Sequence, residues 1–469
     1  MKMKKIMAYD YQTRPRKSKR TYFGRWLYNN DMDIFRISFY DQFQCLAGDC
    51  SETCCKGFAI PVEERTYEKL RAAGGLTSLK ARFCITGETD DRLLNRSRRK
   101  CPYLQKDGLC ALQVLGFGDK PKSGSSFSGY GVLQPHACKV YPRRRQNLGL
   151  LAEETLDLSC PEAARLFLKA ELPLGQIHLK GEVPYGRSGN NDDEAFLKGL
   201  LLAREEMIHF LSVPTAGETY TPQVLSRRFA TLLKASEEIQ ERSTHGEADI
   251  FAGLSELARD FVSNDISGFS RTDDAADESS VETDQLTLTT PQSSVDADRV
   301  IEKNILFPLG IGIMNEWING DVYNDDLLFR MPLLYEVCKL YFKRFDKLNE
   351  TSGQIRLDEL YHSYFQKTGA DVSLYMKYAC YYLYRFYMDS YEDYSFVRRI
   401  RDMIMHTNLL LLLNALYVDE NGKLPNHIET RLLASYEKRA FHSFGLRKEM
   451  YKKWATYMQE GEAAGARIF

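Results

Sequence analysis

The sequence predicts a mainly α-helical protein in which a small, irregular, cysteine-rich unit is docked on a helical body. Two observations carry this. Nine of the eleven cysteines fall between Cys45 and Cys160, and apolar residues recur at helical spacing from about residue 190 onward. A third is composition: 43% hydrophobic and 27% charged residues with a formal net charge of −1 describe an ordinary globular chain. At ~150 residues per domain, the 469-residue length allows about three domains, enough to bury a core without disulfides.

In chain order, residues 1–33 read as a basic flexible leader. Its first 26 residues carry nine Lys or Arg against the single acid Asp10. Its aromatics flank the charge run instead of interleaving with it, which argues for a solvated tail over a nucleic-acid arm. Residues 34–170 hold the cysteines; within them Pro61–Ala73 reads as a short helix ended by Gly74-Gly75. Residues 116–135, rich in Gly and Ser, read as an inserted loop. Residues 171–265 form a helical segment. There Asp192 or Asp193 is placed to cap a helix with Phe196, Leu197, Leu200, Leu201, Met207, Ile208 and Leu211 inward. Thr221-Pro222 opens the next helix, with Val224, Leu225, Phe229, Leu232 and Leu233 inward. Residues 266–299 lose large apolar residues and read as a disordered acidic linker, and residues 300–469 return to amphipathic helices. Little strand signal is visible outside the cysteine region.

The cysteine spacing carries the chemistry: Cys45-x4-Cys50-x3-Cys54-Cys55, then Cys101-Pro102-x7-Cys110, then Cys138 and Cys160. A chain without an apolar signal core is expected to stay in the cytoplasm, where thiols remain reduced. A dense cluster there reads as a metal site, not as disulfides. Thiolates are soft ligands suited to zinc or an iron–sulfur cluster, and eight suffice for two four-thiolate sites or one cluster with spare thiols. The adjacent pair Cys54 and Cys55 is expected to serve different sites or different irons. Ser159 and Glu162 have capping-box spacing and Pro161 suits a first turn. Cys160 is thereby placed at a helix N-terminus, where the macrodipole favours a thiolate. Arg143, Arg144 and Arg145 are placed to offset thiolate charge or bind an anion, with simple solvation as the alternative. Cys338 and Cys380 read as buried structural thiols, Cys84 falls outside the motif spacings, and His136 reads as an exposed loop residue.

At these residues the sequence resembles the flagellin lysine-N-methylases, within the broader group of cysteine-rich zinc- or iron-chelating domains. The phrases are Phe43-Gln44-Cys45, Asp49-Cys50, Cys54-Cys55-x-Gly57, Lys100-Cys101-Pro102-Tyr103-Leu104, Tyr141-Pro142-Arg143 and Leu158-Ser159-Cys160-Pro161-Glu162-Ala163-Ala164-Arg165-Leu166. They cover roughly residues 34–170. The resemblance implies methylation of lysine side chains on flagellin or a similar surface protein, with S-adenosylmethionine as donor and a cysteine-ligated iron–sulfur centre of the 4Fe-4S kind. It carries over Cys45, Cys50, Cys54, Cys55, Cys101, Cys110, Cys138 and Cys160 as metal ligands. The loop at 116–135 and the linker depart from the family pattern.

No pocket for the methyl donor is legible. Gly310-Ile311-Gly312 lacks the third glycine and following acid of a nucleotide loop. The stripe Tyr375, Tyr378, Tyr382 has helical spacing and reads as core rather than as a cage for a methylated ammonium. No residue stands out as a general base, so the catalytic residues stay unassigned. The longest apolar run, around Leu409–Leu413, is far short of the ~20 residues that cross a bilayer. Two other readings stand beside the enzyme: a non-catalytic helical adaptor stapled by zinc, and a nucleic-acid-associated metal protein using the basic leader.

Overall fold

A computed structural model describes residues 31–56, 58, 60–82, 84–86, 92–94, 100–115, 133–148, 151–182, 191–213, 220–244 and 331–442. Residues 1–30, most of the 116–135 loop, the 266–299 linker and Gly310-Ile311-Gly312 lie outside the described residues. So do the side chains of Asp192 and Asp193.

The fold is mainly α, as the periodicity predicts. Seven strands are also described: β1 (Asp31–Ile37), β2 (Ile60–Val62), β3 (Ile85–Thr86), β4 (Arg92–Leu94), β5 (Arg143–Leu148), β6 (Leu151–Leu156) and β7 (Gln176–Glu182). They form a four-stranded sheet of order β5-β6-β1-β7 and a three-stranded sheet of order β2-β4-β3. In the larger sheet β1 runs parallel to β6 and antiparallel to β7. This sheet is a departure from the sequence reading, because β1 opens inside the expected leader and β7 lies inside the expected helical segment. All six residues of β6 are buried, Glu153 and Glu154 among them, so the strand shows no alternation of apolar and polar positions. Glu153 meets the buried Arg204 at 2.6 Å, which compensates the charge.

The helices are α1 (Glu64–Ala72), α2 (Gly75–Ala81), α3 (Ala111–Leu115), α4 (His136–Val140), α5 (Pro161–Lys169), α6 (Asn191–Ser212) and α7 (Pro222–Thr244). After the undescribed stretch come α8 (Pro332–Phe345), α9 (Glu350–Thr368), α10 (Ser373–Phe386), α11 (Ser390–Asp393), α12 (Phe396–Asn421) and α13 (Asn426–His442). The helix expected over Pro61–Ala73 begins later, since Pro61 belongs to β2; it ends at the glycine pair, with Gly74 at φ 71°. Thr221 caps α7 as expected, its Oγ1 accepting from the Val224 amide at 3.3 Å. Arg228 on α7 donates to the carbonyls of Phe210, Leu211 and Val213, satisfying the C-terminal end of α6.

One large core joins α5–α10, α12 and α13 to the four-stranded sheet. Helix α12 runs through its middle, packed by α7, α8, α9, α10 and α13. Cys338, Cys380 and the stripe Tyr375, Tyr378, Tyr382 are all buried in this core, as expected. A separate small cluster, with Ile60, Val62, Leu70, Leu94, Tyr103 and Leu112 at its centre, gathers Cys55, Cys84, Cys101, Cys110 and Cys138.

Candidate metal centre

The thiols are supplied by short, irregular pieces of chain. Cys45, Cys50, Cys54 and Cys55 lie on or beside the single 3-10 turns Ala47–Asp49 and Cys54–Lys56. Cys101 and Cys110 flank a tight loop in which Leu104 bridges to Cys110 and the Gln105 amide donates to the Leu109 carbonyl at 2.9 Å. The two loops touch through glycine. A Cβ on Gly48 would sit 2.8 Å from the Asp107 carbonyl oxygen, and Gly108 holds a φ of 81° against the Gly48 backbone. The Cys101 amide donates to the Cys55 carbonyl at 2.7 Å, tying the first loop to the second. Cys138 stands on α4, and Cys160 is the N-cap of α5.

These eight side chains fall within one electrostatic neighbourhood. The Cys54 thiol contacts Cys55, and Cys55 contacts Cys101. Cys54 also lies in the field of Cys45, Cys50, Cys138 and Cys160, and Cys110 in that of Cys55 and Cys138. The contact with Cys55 and burial hold the Cys54 thiol well above its ordinary range; the contact with Cys101 pushes Cys55 up to about 12. Burial raises Cys45, Cys50 and Cys138 as well. Among the described residues, no three of the donors already share one metal-sized point. The set is one of pairwise S–H contacts, and a metal would have to displace those protons. In donor chemistry, soft sulfur and enough of it at short range, the set fits a thiolate-ligated metal or cluster.

The helix start at Cys160 differs from the expected capping box. Ser159 turns away to Asp157, 2.5 Å from its Oδ1, and Glu162 pairs with Arg165 at 2.5 Å. The Cys160 sulfur accepts from the Glu162 and Ala163 amides instead, which favours the thiolate. Burial outweighs them and the thiol is pushed up to about 12. Lys377 steadies the other end of α5, donating to the Leu168 and Ala170 carbonyls at 2.9 and 2.7 Å.

Cations face the thiols from two sides. Arg143 lies in the field of Cys45 and donates to the Phe43 carbonyl at 3.2 Å. Arg144 lies over the Phe386 ring and Arg145 pairs with Glu154. Lys438 on α13 is buried, donates to the Glu52 carbonyl at 3.4 Å and faces Cys50, Cys54 and Cys160. Burial lowers its pKa below the ordinary lysine range, opposed by those thiols and Glu52. His136 is exposed, on α4 instead of a loop. Cys84 is raised to about 11 by burial and lies in the field of Arg92.

A polar cluster that sequence reasoning missed adjoins the thiols. Fully buried Arg385 on α10 bridges Asp157 and Glu437, at 2.7 Å to each. Asp157 also receives Ser159 and His442, and Tyr378 donates to Glu437. Phe58 links the two groups, edge-on to His442 at 4.8 Å and to Tyr141 at 5.2 Å. The run Glu437-Lys438-Arg439, charged in the middle of an otherwise amphipathic helix, was the available signal.

Set beside known proteins, the chain is 28% identical over 148 residues to the flagellar biosynthetic protein FliU of Salmonella muenchen, covering 29% of this chain and 78% of that protein. It is 27% and 26% identical over 148 residues to proteins named lysine-N-methylase from Salmonella typhimurium and Salmonella choleraesuis. Those matches span 29% of this chain and only a third, 33%, of each methylase. No family model matches the chain, and no solved structure does.

Proposed function

We propose that the chain is a protein-lysine N-methyltransferase acting on flagellin or a similar surface protein, with S-adenosylmethionine as methyl donor and a cysteine-ligated iron–sulfur centre. The observation that carries the reaction is the 148-residue similarity to proteins named lysine-N-methylase. The gathering of Cys45, Cys50, Cys54, Cys55, Cys101, Cys110, Cys138 and Cys160 supports the centre. Those residues would hold it, and the zinc alternative would use the same thiols. When bound, the centre supplies a Lewis-acidic position to the site if one coordination position stays open. The rest falls to the chain. Lys438 and Arg143 offset the negative charge that several thiolates bring into a part-buried site. The junction of the thiol loops with α13, where Phe58, Tyr141 and His442 meet, is the face offered to an acceptor lysine.

The test is anaerobic purification with iron, sulfide and zinc analysis, followed by methyl transfer to purified flagellin read by mass spectrometry. A brown protein holding iron and sulfide and methylating flagellin lysines is the expected result. A colourless, zinc-loaded protein with no transfer would replace this reading with that of a zinc-stapled adaptor.

A further inference from the structure

We propose that His442, held by Asp157 beside the thiol loops, is the catalytic residue that takes the proton from an acceptor lysine ammonium. The inference rests on the methyltransferase reading and supplies the base which that reading needs. An ε-ammonium has no lone pair, so displacement at a methyl group requires the neutral amine.

Donor counting fixes which nitrogen of the neutral ring carries the hydrogen. Asp157 accepts the Ser159 amide at 3.0 Å and the Ser159 hydroxyl at 2.5 Å on Oδ1, and Arg385 at 2.7 Å on Oδ2. Arg385 and the hydrogen bonds from His442 and Ser159 hold its carboxyl well below the usual range although it is buried, and an ionised carboxylate only accepts. The one hydroxyl proton of Ser159 is therefore spent on Asp157. The Tyr141 hydroxyl, 3.0 Å away, must then donate to Ser159 Oγ. His442 Nε2 lies 3.0 Å from Asp157 Oδ2 and 3.1 Å from Ser159 Oγ. Neither oxygen has a proton to give it, so Nε2 carries the hydrogen. In the neutral ring the lone pair then lies on Nδ1, which makes no hydrogen bond among the described residues. The side chain is 30% exposed, so the ring is reachable from solvent.

The same count excludes a serine nucleophile. In a hydrolytic triad the histidine nitrogen facing serine accepts, and the carboxylate holds the other nitrogen. Here one nitrogen, Nε2, faces both, as a donor.

The proton step is balanced within the chain. An N–H bond of the ammonium breaks, its electron pair stays on the amine nitrogen, and the proton bonds to Nδ1. The resulting imidazolium is stabilised by Asp157 and returns its proton to water. Among the described residues, the charged and titratable groups around the ring include Asp157 with Arg385 and Glu437 behind it, Tyr141 through Ser159, and Lys438 across Phe58. Beyond Tyr141 lie Cys54 and Cys160.

The test uses the full-length, metal-loaded protein, purified flagellin and isotope-labelled S-adenosylmethionine. In single turnover, His442→Gln is expected to slow transfer by ~10²–10³-fold, with wild-type metal content and melting. Added imidazole, or a pH high enough to deprotonate the lysine unaided, should restore part of the rate. Unchanged transfer, or a loss that neither treatment relieves, overturns the inference. Nuclear magnetic resonance of histidine-labelled protein gives a readout apart from activity. In the neutral ring the Nε2–H tautomer is expected, and the Nδ1–H tautomer would overturn the assignment. Failure of the wild type to transfer at all would instead remove the methyltransferase reading.

Discussion

Asp402 and Glu437 are carboxyls taken out of water, and their titration sets a pH dependence of known sign. Burial pushes Asp402 up to about 6, although Arg398 lies 3.6 Å away, and pushes Glu437 up to about 7 beside Arg385. A carboxyl raised on folding binds its proton more tightly in the folded chain. Its contribution is complete below the unfolded value and is lost as pH rises through the folded one. Asp157, held low by Arg385 and His442, has the opposite sign and contributes until pH falls below the ordinary aspartate range. Between 3.8 and about 6, at 1.36 kcal/mol per unit, Asp402 accounts for at most ~3 kcal/mol. Asp402→Asn should remove that share of the decline between about pH 4 and 6, read from urea melts at a series of pH values. Lys438 poses a different question, since it is a buried cation facing Cys50, Cys54 and Cys160. Lys438→Met keeps its packing and deletes its charge. Metal retention against a chelator should then fall by ~10–100-fold, the usual effect of losing a partner just outside the ligands. Unchanged retention would mean that Arg143 and solvent suffice.

At the level of elements, one arginine holds three of them together: α10, α13 and the turn between β6 and α5. Arg385→Met would leave Asp157 and Glu437 buried without their cation, a loss of ~3–5 kcal/mol. Adding Asp157→Asn should recover part of it, because the carboxylate left charged is gone, whereas Glu437, already raised to about 7 beside Arg385, takes up a proton instead; equal melting of the single and double variants would refute this. Helices such as α6 and α7 were legible because their buried residues repeat at helical spacing. The four-stranded sheet was not, because β6 is buried on both faces and carries Glu153 and Glu154, whose arginine partners come from elsewhere. The capping box failed for a related reason: Ser159 found a stronger acceptor in Asp157. Ligand candidates announce themselves by spacing within short stretches. The Asp157–Arg385 and Asp157–His442 pairs span 228 and 285 positions, and no local pattern predicts such a meeting.

Across the whole molecule, the thiols sit where two cores meet. Cys160 belongs to the large core, while Cys55, Cys101, Cys110 and Cys138 pack on the small cluster. Between them run few described ties, chiefly Glu52 to Arg431 at 3.3 Å, Lys438 to the Glu52 carbonyl, and Phe58 against Tyr141 and His442. Among the described residues no helix is long and apolar enough to cross a membrane. A small cluster built from two- and three-residue strands, single 3-10 turns and the short helices α1–α4 has a core much smaller than the large one, and a metal held by thiolates from both sides would add its binding energy to folding. Cys54→Ala and Cys101→Ala should therefore lower bound metal and make the 34–170 segment the first to be cut in limited proteolysis. Cys338→Ala, a truncation deep in the large core, should lower the melting temperature while leaving metal content unchanged. The contrast separates loss of a ligand from loss of packing. If Cys54→Ala and Cys101→Ala keep full metal and wild-type melting, those two residues are not ligands, and the coupling between metal and fold has to be sought among the other six.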